Sequence, residues 1–409
     1  MIILAALAAQ AILAQPEPYA ARPASEALSL AYDAQHGGMS QDQAIEVWLG
    51  RHPDAPLAER AMLAHRLCLA YGVTVGGERR VVACHLSTSF TADTEEKNDL
   101  AIAEALRQEP AIAARGAVTV PLARDATGVL SAVVAAHGQA SSWIVDSAAE
   151  ITTVPESTAR TLGVRMLQAK ANVGTSTAAR VDGEIGVIDT LLIGSARVTH
   201  VPVLVLPDAM LRIKGDKLIP GILGLPVLAA FHRVAWLHRG ATLCLGSRGC
   251  AATSGPVRPV PIYWHENGVG VPITLPKGTG AAHLDSGANL TELSSAGTNL
   301  LAPSQLATIT SQAMQVGGVG GIGEASVRVL PALDYNLAGA RLCAVKVMVG
   351  APFDGAGRIG SDAIDQLDLL ALDFDRMSAV AVPASRSDTR PSTPHTDGND
   401  QQPAQSRGE

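Results

Sequence analysis

The sequence predicts a mainly β protein: two similar lobes, preceded by a small α-helical domain. Three observations predict it. From about residue 116 the chain turns strand-like, with turn signals every ten residues or so. Within that part a motif and its downstream partner recur in the same order. Upstream, apolar residues fall at helical spacing. The composition agrees with a real core, because 47% of the 409 residues are hydrophobic. A net charge of −7 and only 3% aromatic residues exclude the basic, stacking-rich surface of a nucleic-acid binder.

The N-terminus, Met1 to Ala14, is an apolar run too short to span a bilayer, which takes about 20 residues. It fits the core of a secretory signal, although no Lys or Arg precedes it. Residues 1–14 are therefore read as a signal peptide and the mature protein as periplasmic or secreted. No later segment is apolar for long enough to give a stable membrane span.

Residues 15–115 are read as the helical N-terminal domain. Gln41 to Gly50 and Ala55 to Gly72 carry helical periodicity, with Gly72 as a stop. Asp93-Thr94-Glu95-Glu96 reads as a capping box opening a helix through Ala101, Ile102 and Leu106. No chemistry is visible here. The segment suits packing against the strand-rich part of the chain, docking a partner, or serving as a removable prosegment.

Five cysteines are present. Cys68 with Cys84, and Cys244 with Cys250, lie close in sequence and suit two disulfides in an oxidising compartment. Cys343, in the strand-like Arg341–Val345, reads as a buried apolar residue rather than a nucleophile. No Cys/His spacing completes a metal site. His232 and His238 read as a structural pair, and His265-Glu266 lacks the second histidine of a zinc-protease helix.

The repeat carries the functional signal. Trp143-Ile144-Val145-Asp146-Ser147-Ala148-Ala149 is answered by Ala282-His283-Leu284-Asp285-Ser286-Gly287-Ala288, the aspartates standing 139 residues apart. Gly221-Ile222-Leu223-Gly224 is answered by Gly357-Arg358-Ile359-Gly360, 136 residues on. Each pair is followed by a short helix-like stretch and an apolar strand: Pro226 to Phe231 and Val234 to Leu245, then Asp362 to Leu367 and Leu369 to Val382. This divides the chain into lobe one, 116–255, and lobe two, 256–383. A polar tail, 384–409, cannot bury enough surface to order itself.

Apolar-apolar-Asp-Ser-Gly/Ala-Ala, with apolar-Gly downstream in both copies, resembles the aspartic proteases of the pepsin and retropepsin superfamily. Thr153 to Val164 is similar to the turn and short helix after the active-site loop in bacterial retropepsin-like enzymes. The resemblance covers about 116–383. It implies a bilobal aspartic-protease fold with two pseudo-twofold-related β-barrel lobes, and an endopeptidase that cleaves a polypeptide substrate. One chain supplies both aspartates, so a monomer suffices for a complete active site. No cofactor and no metal are implied.

By this resemblance Asp146 and Asp285 are the catalytic pair. Two carboxylates that share one proton split into a base that activates water and an acid that hydrogen-bonds the oxyanion. Ser147 and Ser286 match the hydroxyls that bond across to the opposite loop, and Gly287 lets the backbone approach a carboxylate. Gly224 and Gly360 match the glycines beneath the loops. Ala149 and Ala288 carry no hydroxyl for the carboxylates, which implies a less acid pH optimum. Each lobe also requires a flap: Gly174, Thr175 and Ser176 in the first, and Gly318, Val319 and Gly320 in the second. Gly318-x-Gly320-x-x-Gly323 formally matches a dinucleotide fingerprint, but no helix is predicted after it.

Three features depart from the family pattern. Ala148 stands where glycine is usual, Arg358 replaces an apolar residue, and Glu150 and Asn289 are unusually polar. They leave a catalytically weak or silent peptide-binding protein as the alternative. An envelope assembly factor acting through the helical domain is a third reading.

Overall fold

The structure, a computed structural model, describes residues 41–385 apart from 75, 91–93, 126, 175–179, 214–216, 247–249, 251–256, 266–267 and 352–354. The predicted signal peptide, residues 386–409 of the tail, Asp93 of the capping box, and Thr175 and Ser176 lie outside the described residues.

Four helices open the described chain: Gln41–Arg51, Leu57–Thr74, Gly77–Phe90 and Thr94–Ala105. They share a small core of Ile45, Trp48, Leu63, Leu67, Tyr71 and Val81. A disulfide between Cys68 and Cys84 ties the second helix to the third. Gly72 does not stop the second helix. It makes room: a Cβ there would lie 2.9 Å from the Arg80 guanidinium carbon. The third helix has no sequence signal as clear as its neighbours, because its first turn is Gly-Glu-Arg-Arg and its apolar face is short.

β structure begins at Ala113–Arg115, slightly earlier than the texture change suggests, and pairs with Ala196–Leu206. Lobe one is a nine-stranded sheet and lobe two an eight-stranded sheet. Both are built the same way. In lobe one, strand Gln139–Val145 runs into the Asp146 loop, and Ile222–Leu223 pairs parallel with its end. In lobe two, Gly278–Leu284 runs into the Asp285 loop, and Gly357–Ile359 pairs parallel in the equivalent register. Short helices come next at Leu225–Ala229 and Ser361–Ile364.

The apolar stretches expected as single strands are hairpins. Arg233–Leu237 pairs with Thr242–Leu245, and Leu367–Asp373 with Ser378–Pro383. The turn in the first is made by His238, Arg239 and Gly240, all at positive φ. These hairpins join edge to edge, Trp236 opposite Leu370, in a six-stranded sheet beneath both lobes. Its central strands read as continuous apolar runs because both faces are covered. One core then runs through both lobes, from Val145 and Leu223 to Leu284 and Ile359.

The histidines near this sheet are not a pair. His232 Nδ1 lies 2.8 Å from Asp375 Oδ1 and His238 Nδ1 3.2 Å from Asp368 Oδ1, so each has its own carboxylate. Cys343 is exposed and free, contrary to expectation, because its side chain lies on the outer face of Ala340–Ala351. Cys244 and Cys250 are disulfide-bonded. Among the described residues, no helix is long and apolar enough to cross a membrane.

Candidate active site

Each aspartate sits where a strand ends against a parallel partner. The Asp146 amide donates to the Leu223 carbonyl at 3.0 Å, and the Asp285 amide to the Ile359 carbonyl at 2.9 Å. The loops then curl back on their own carboxylates. Asp146 Oδ1 accepts from the amides of Ala148 (2.8 Å) and Ala149 (3.1 Å), and Asp285 Oδ1 accepts from Gly287 at 2.9 Å. Charge-assisted bonds of this kind fix where a carboxylate points.

The glycines downstream hold the loops from beneath. A Cβ on Gly224 would meet the Ala149 carbonyl oxygen at 2.7 Å, and one on Gly360 the Leu290 carbonyl oxygen at 2.6 Å. Their amides donate to the hydroxyls of Thr152 (3.1 Å) and Thr291 (3.3 Å). Those two threonines lie six residues after each aspartate; they are positioning residues absent from the sequence expectations, although the repeat contains both.

The two loops are cross-linked through fully buried serines. Ser147 Oγ donates to the Leu284 carbonyl at 2.8 Å and accepts from the Ser286 amide at 3.0 Å. Ser286 Oγ donates to the Val145 carbonyl at 2.7 Å and accepts from the Ser147 amide at 3.1 Å. Gly287 lies so close to Asp146 that a Cβ there would fall 2.5 Å from its carboxylate carbon. Neither Gly287 nor Ala148 has positive φ, so the alanine standing where glycine is usual bears no left-handed backbone strain.

Burial, then the charge of Asp285, push the Asp146 carboxyl up to about 7; the amides of Ala148 and Ala149 and the Arg358 guanidinium oppose the shift. Arg358 is not a stray polar residue. Its Nη1 donates to Asp285 Oδ2 at 3.2 Å and its Nη2 to Glu292 Oε1 at 2.8 Å. Burial works against its charge, but Asp285 and Glu292 outweigh it and raise its pKa. Burial also raises the Glu292 carboxyl, with Arg358 opposing.

The other departures have places too. Asn289 Nδ2 reaches across to donate to the Thr127 carbonyl of lobe one at 2.7 Å. Glu150 faces the helical region, sharing a small cavity with Gly72, Arg80 and Trp264. Burial lowers the Arg80 pKa, against the pull of Asp99 and Glu150.

The lobe-two hairpin pairs Thr310–Gly318 with Gly321–Leu337 through a two-residue turn, Val319-Gly320. No helix comes after it, which removes the dinucleotide reading. The tip reaches lobe one: the Gly320 amide donates to the Met210 carbonyl at 2.9 Å, and Val319 packs on a cluster that includes Leu211, Ile144 and Ile222. The lobe-one hairpin pairs Arg165–Gly174 with Arg180–Ile193, Gly174 standing at the end of the first strand. Its first strand is held by the helical region, where Asn98 accepts from the Asn172 amide at 3.0 Å and donates back to the Asn172 carbonyl.

Two β lobes, each delivering an aspartate loop to one interface and locked there by reciprocal serines, define the architecture of the two-lobed aspartic proteases. Residues 132–227 match a family described as Aspartyl protease. No curated protein matches the sequence. A solved structure similar to it is that of Basic 7S globulin from soybean, at 14% identity and a TM-score of 0.43, covering 66% of this chain and 95% of that one.

Proposed function

We propose that the protein is an aspartic endopeptidase in which Asp146 and Asp285 activate one water. The observation that carries the reading is the pair of loops locked by Ser147 and Ser286, which fixes two carboxylates near one another with unequal surroundings. The ionised carboxylate takes a proton from water as its oxygen attacks the peptide carbonyl. The protonated one hydrogen-bonds the developing oxyanion, and the departing nitrogen then receives the proton the base has taken. The substrate is a polypeptide lying across the lobes, with the hairpin tip at Val319-Gly320 and the lobe-one hairpin as its covers. The two disulfides suit an oxidising compartment, and we place the working protein in the periplasm or outside the cell.

The test is cleavage of an unfolded-protein panel by wild type, Asp146→Asn and Asp285→Asn. Cleavage by wild type, lost by at least a thousandfold in either variant, is expected; equal cleavage by all three sinks the assignment. A second reading, a catalytically silent peptide-binding protein, is favoured by one observation: Arg358 already occupies an oxygen of Asp285. It predicts peptide binding that survives in both variants, and no hydrolysis by any of the three.

A further inference from the structure

The two lobes differ at one cross-strand pair beside the aspartates. In lobe one Ile222 pairs with Thr153, both buried and neither charged. In lobe two the equivalent register holds Arg358 opposite Glu292. The exchange is paired: a cation appears in one strand, and the carboxylate that neutralises it appears in the other. Glu292 is 6% exposed and Asp285 5%, so neither anion has bulk water to solvate it. The guanidinium takes one with each arm. A planar fork bonded to two buried carboxylates is far more directional than a lysine ammonium.

We propose that Arg358, braced by Glu292, fixes the order of protonation of the two aspartates: Asp285 stays ionised and the shared proton resides on Asp146. This rests on the reading of those aspartates as the catalytic pair, and it deepens it by naming the base and the acid. Arg358 is a positioning residue, since it acts through Asp285.

The groups around Asp285 all enter the balance. Arg358 bonds its Oδ2 and the Gly287 amide its Oδ1. Asp146 faces it from lobe one, and Glu292 stands behind the guanidinium. His283, on the same strand, is the register partner of Arg358. Asp146 accepts only neutral amides from its own loop, and its ionised form is disfavoured by burial and by the charge opposite. Among the described residues, therefore, Asp285 has a cation in contact, and Asp146 feels that same guanidinium only at longer range. Asp285 then takes the proton from water and passes it to the departing nitrogen. Asp146, carrying its proton, donates to the carbonyl oxygen as the C–O bond forms.

The experiment is a carboxyl-carbon NMR titration of the full chain labelled at aspartate, with the two signals assigned through Asp146→Asn and Asp285→Asn. In wild type, the first proton taken up as pH falls goes to Asp146 and not to Asp285. In the double variant Arg358→Ile/Glu292→Thr, which gives lobe two the residues of lobe one, the Asp285 midpoint rises by at least one pH unit. Arg358→Lys keeps the order with a smaller gap. Peptide hydrolysis, followed in parallel, shows the acid limb of kcat/KM moving up with the Asp285 midpoint. A first proton on Asp285 in wild type overturns the proposal, as does a double variant that titrates like wild type. A wild type without hydrolysis refutes the protease reading instead, and the titration still decides where the proton sits.

Discussion

Ser147 and Ser286 exchange the same hydrogen bonds in both directions, each hydroxyl donating to a carbonyl of the opposite lobe and accepting from the other serine's amide. All four bonds are buried, and all four cross between the halves of the duplication. The aspartate beside each serine is thereby held by the lobe it does not belong to. The site is a property of the interface, which is why neither lobe offers it alone.

Removing either hydroxyl leaves an amide and a carbonyl without partners in a buried place. Ser147→Ala and Ser286→Ala should each cost about 2–4 kcal/mol, since an orphaned buried group costs roughly 1–3 kcal/mol. Symmetry predicts near-equal losses. Urea denaturation of the two variants checks this, and a loss below about 0.5 kcal/mol in one of them counts against a reciprocal lock.

Asp146→Asn should stabilise the fold, and more so as pH rises. The Asp146 carboxyl is raised in the folded protein to about 7. Its ordinary value is about 3.9, so the folded state binds the proton more tightly than the unfolded chain between those values. Stability from this group is present at low pH and lost as pH climbs through that window. An amide never ionises, so the variant avoids the loss: on the order of 1–3 kcal/mol at pH 8 and close to nothing at pH 3. Melting temperatures of both proteins across that range decide it. Asp285→Asn should give no such gain, because it takes a partner from Arg358.

Much of this was legible in the sequence, and for a reason. Duplication prints the same steric demands twice, so Asp146/Asp285 and Gly224/Gly360 announce themselves by recurring. The serines came with them. Glu292 did not, because it answers Thr153 and belongs to no repeated motif; only the misplaced charge of Arg358 hinted that a second charge had to be near it. The six-stranded sheet under the lobes was hidden for another reason. An apolar run buried on both faces has no alternation to show where its turn falls, and at His238 and Arg239 the turn uses non-glycine residues at positive φ. The helical region holds the first hairpin through Asn98 on Asn172, Glu109 on Arg165 and the apolar packing of Ile102 and Leu106, and the asparagine is a contact that no periodicity marks.

That asparagine gives a prediction for the helical region. Asn98 stands in for an adjacent strand, satisfying both the amide and the carbonyl of Asn172. Asn98→Ala should free the Asn172 amide, raising its hydrogen-exchange rate about tenfold or more, the loss of roughly one buried bond. A hairpin that moves more freely should bind a peptide substrate less tightly, so KM rises more than kcat falls. Unchanged exchange at Asn172 would show that the hairpin is held elsewhere.

Gly287 and Ala148 test how the site tolerates its own asymmetry. They stand at the same position of the two loops, yet only Gly287 abuts the opposite aspartate in a way that excludes a side chain: its Cβ would lie 2.5 Å from both Cγ and Oδ2 of Asp146. Such an approach is far inside van der Waals contact, and what it meets is a carboxylate held by two amides rather than a flexible chain end. Something has to shift. Overpacking of this sort costs about 1–3 kcal/mol, and a misplacement of 1 Å at a reacting group costs about a hundredfold in rate. Gly287→Ala should therefore lower kcat/KM by about a hundredfold and the melting temperature with it. Ala148 already carries its methyl at normal φ, and its amide bonds Asp146 in its own loop. Ala148→Gly should change kcat/KM by less than about tenfold, because it removes a group the site has already accommodated. Measuring both variants side by side settles which loop sets the spacing of the two carboxylates. Equal effects would mean that the spacing is shared, and that the methyl of Ala148 constrains Asp285 as strongly as a methyl at 287 would constrain Asp146.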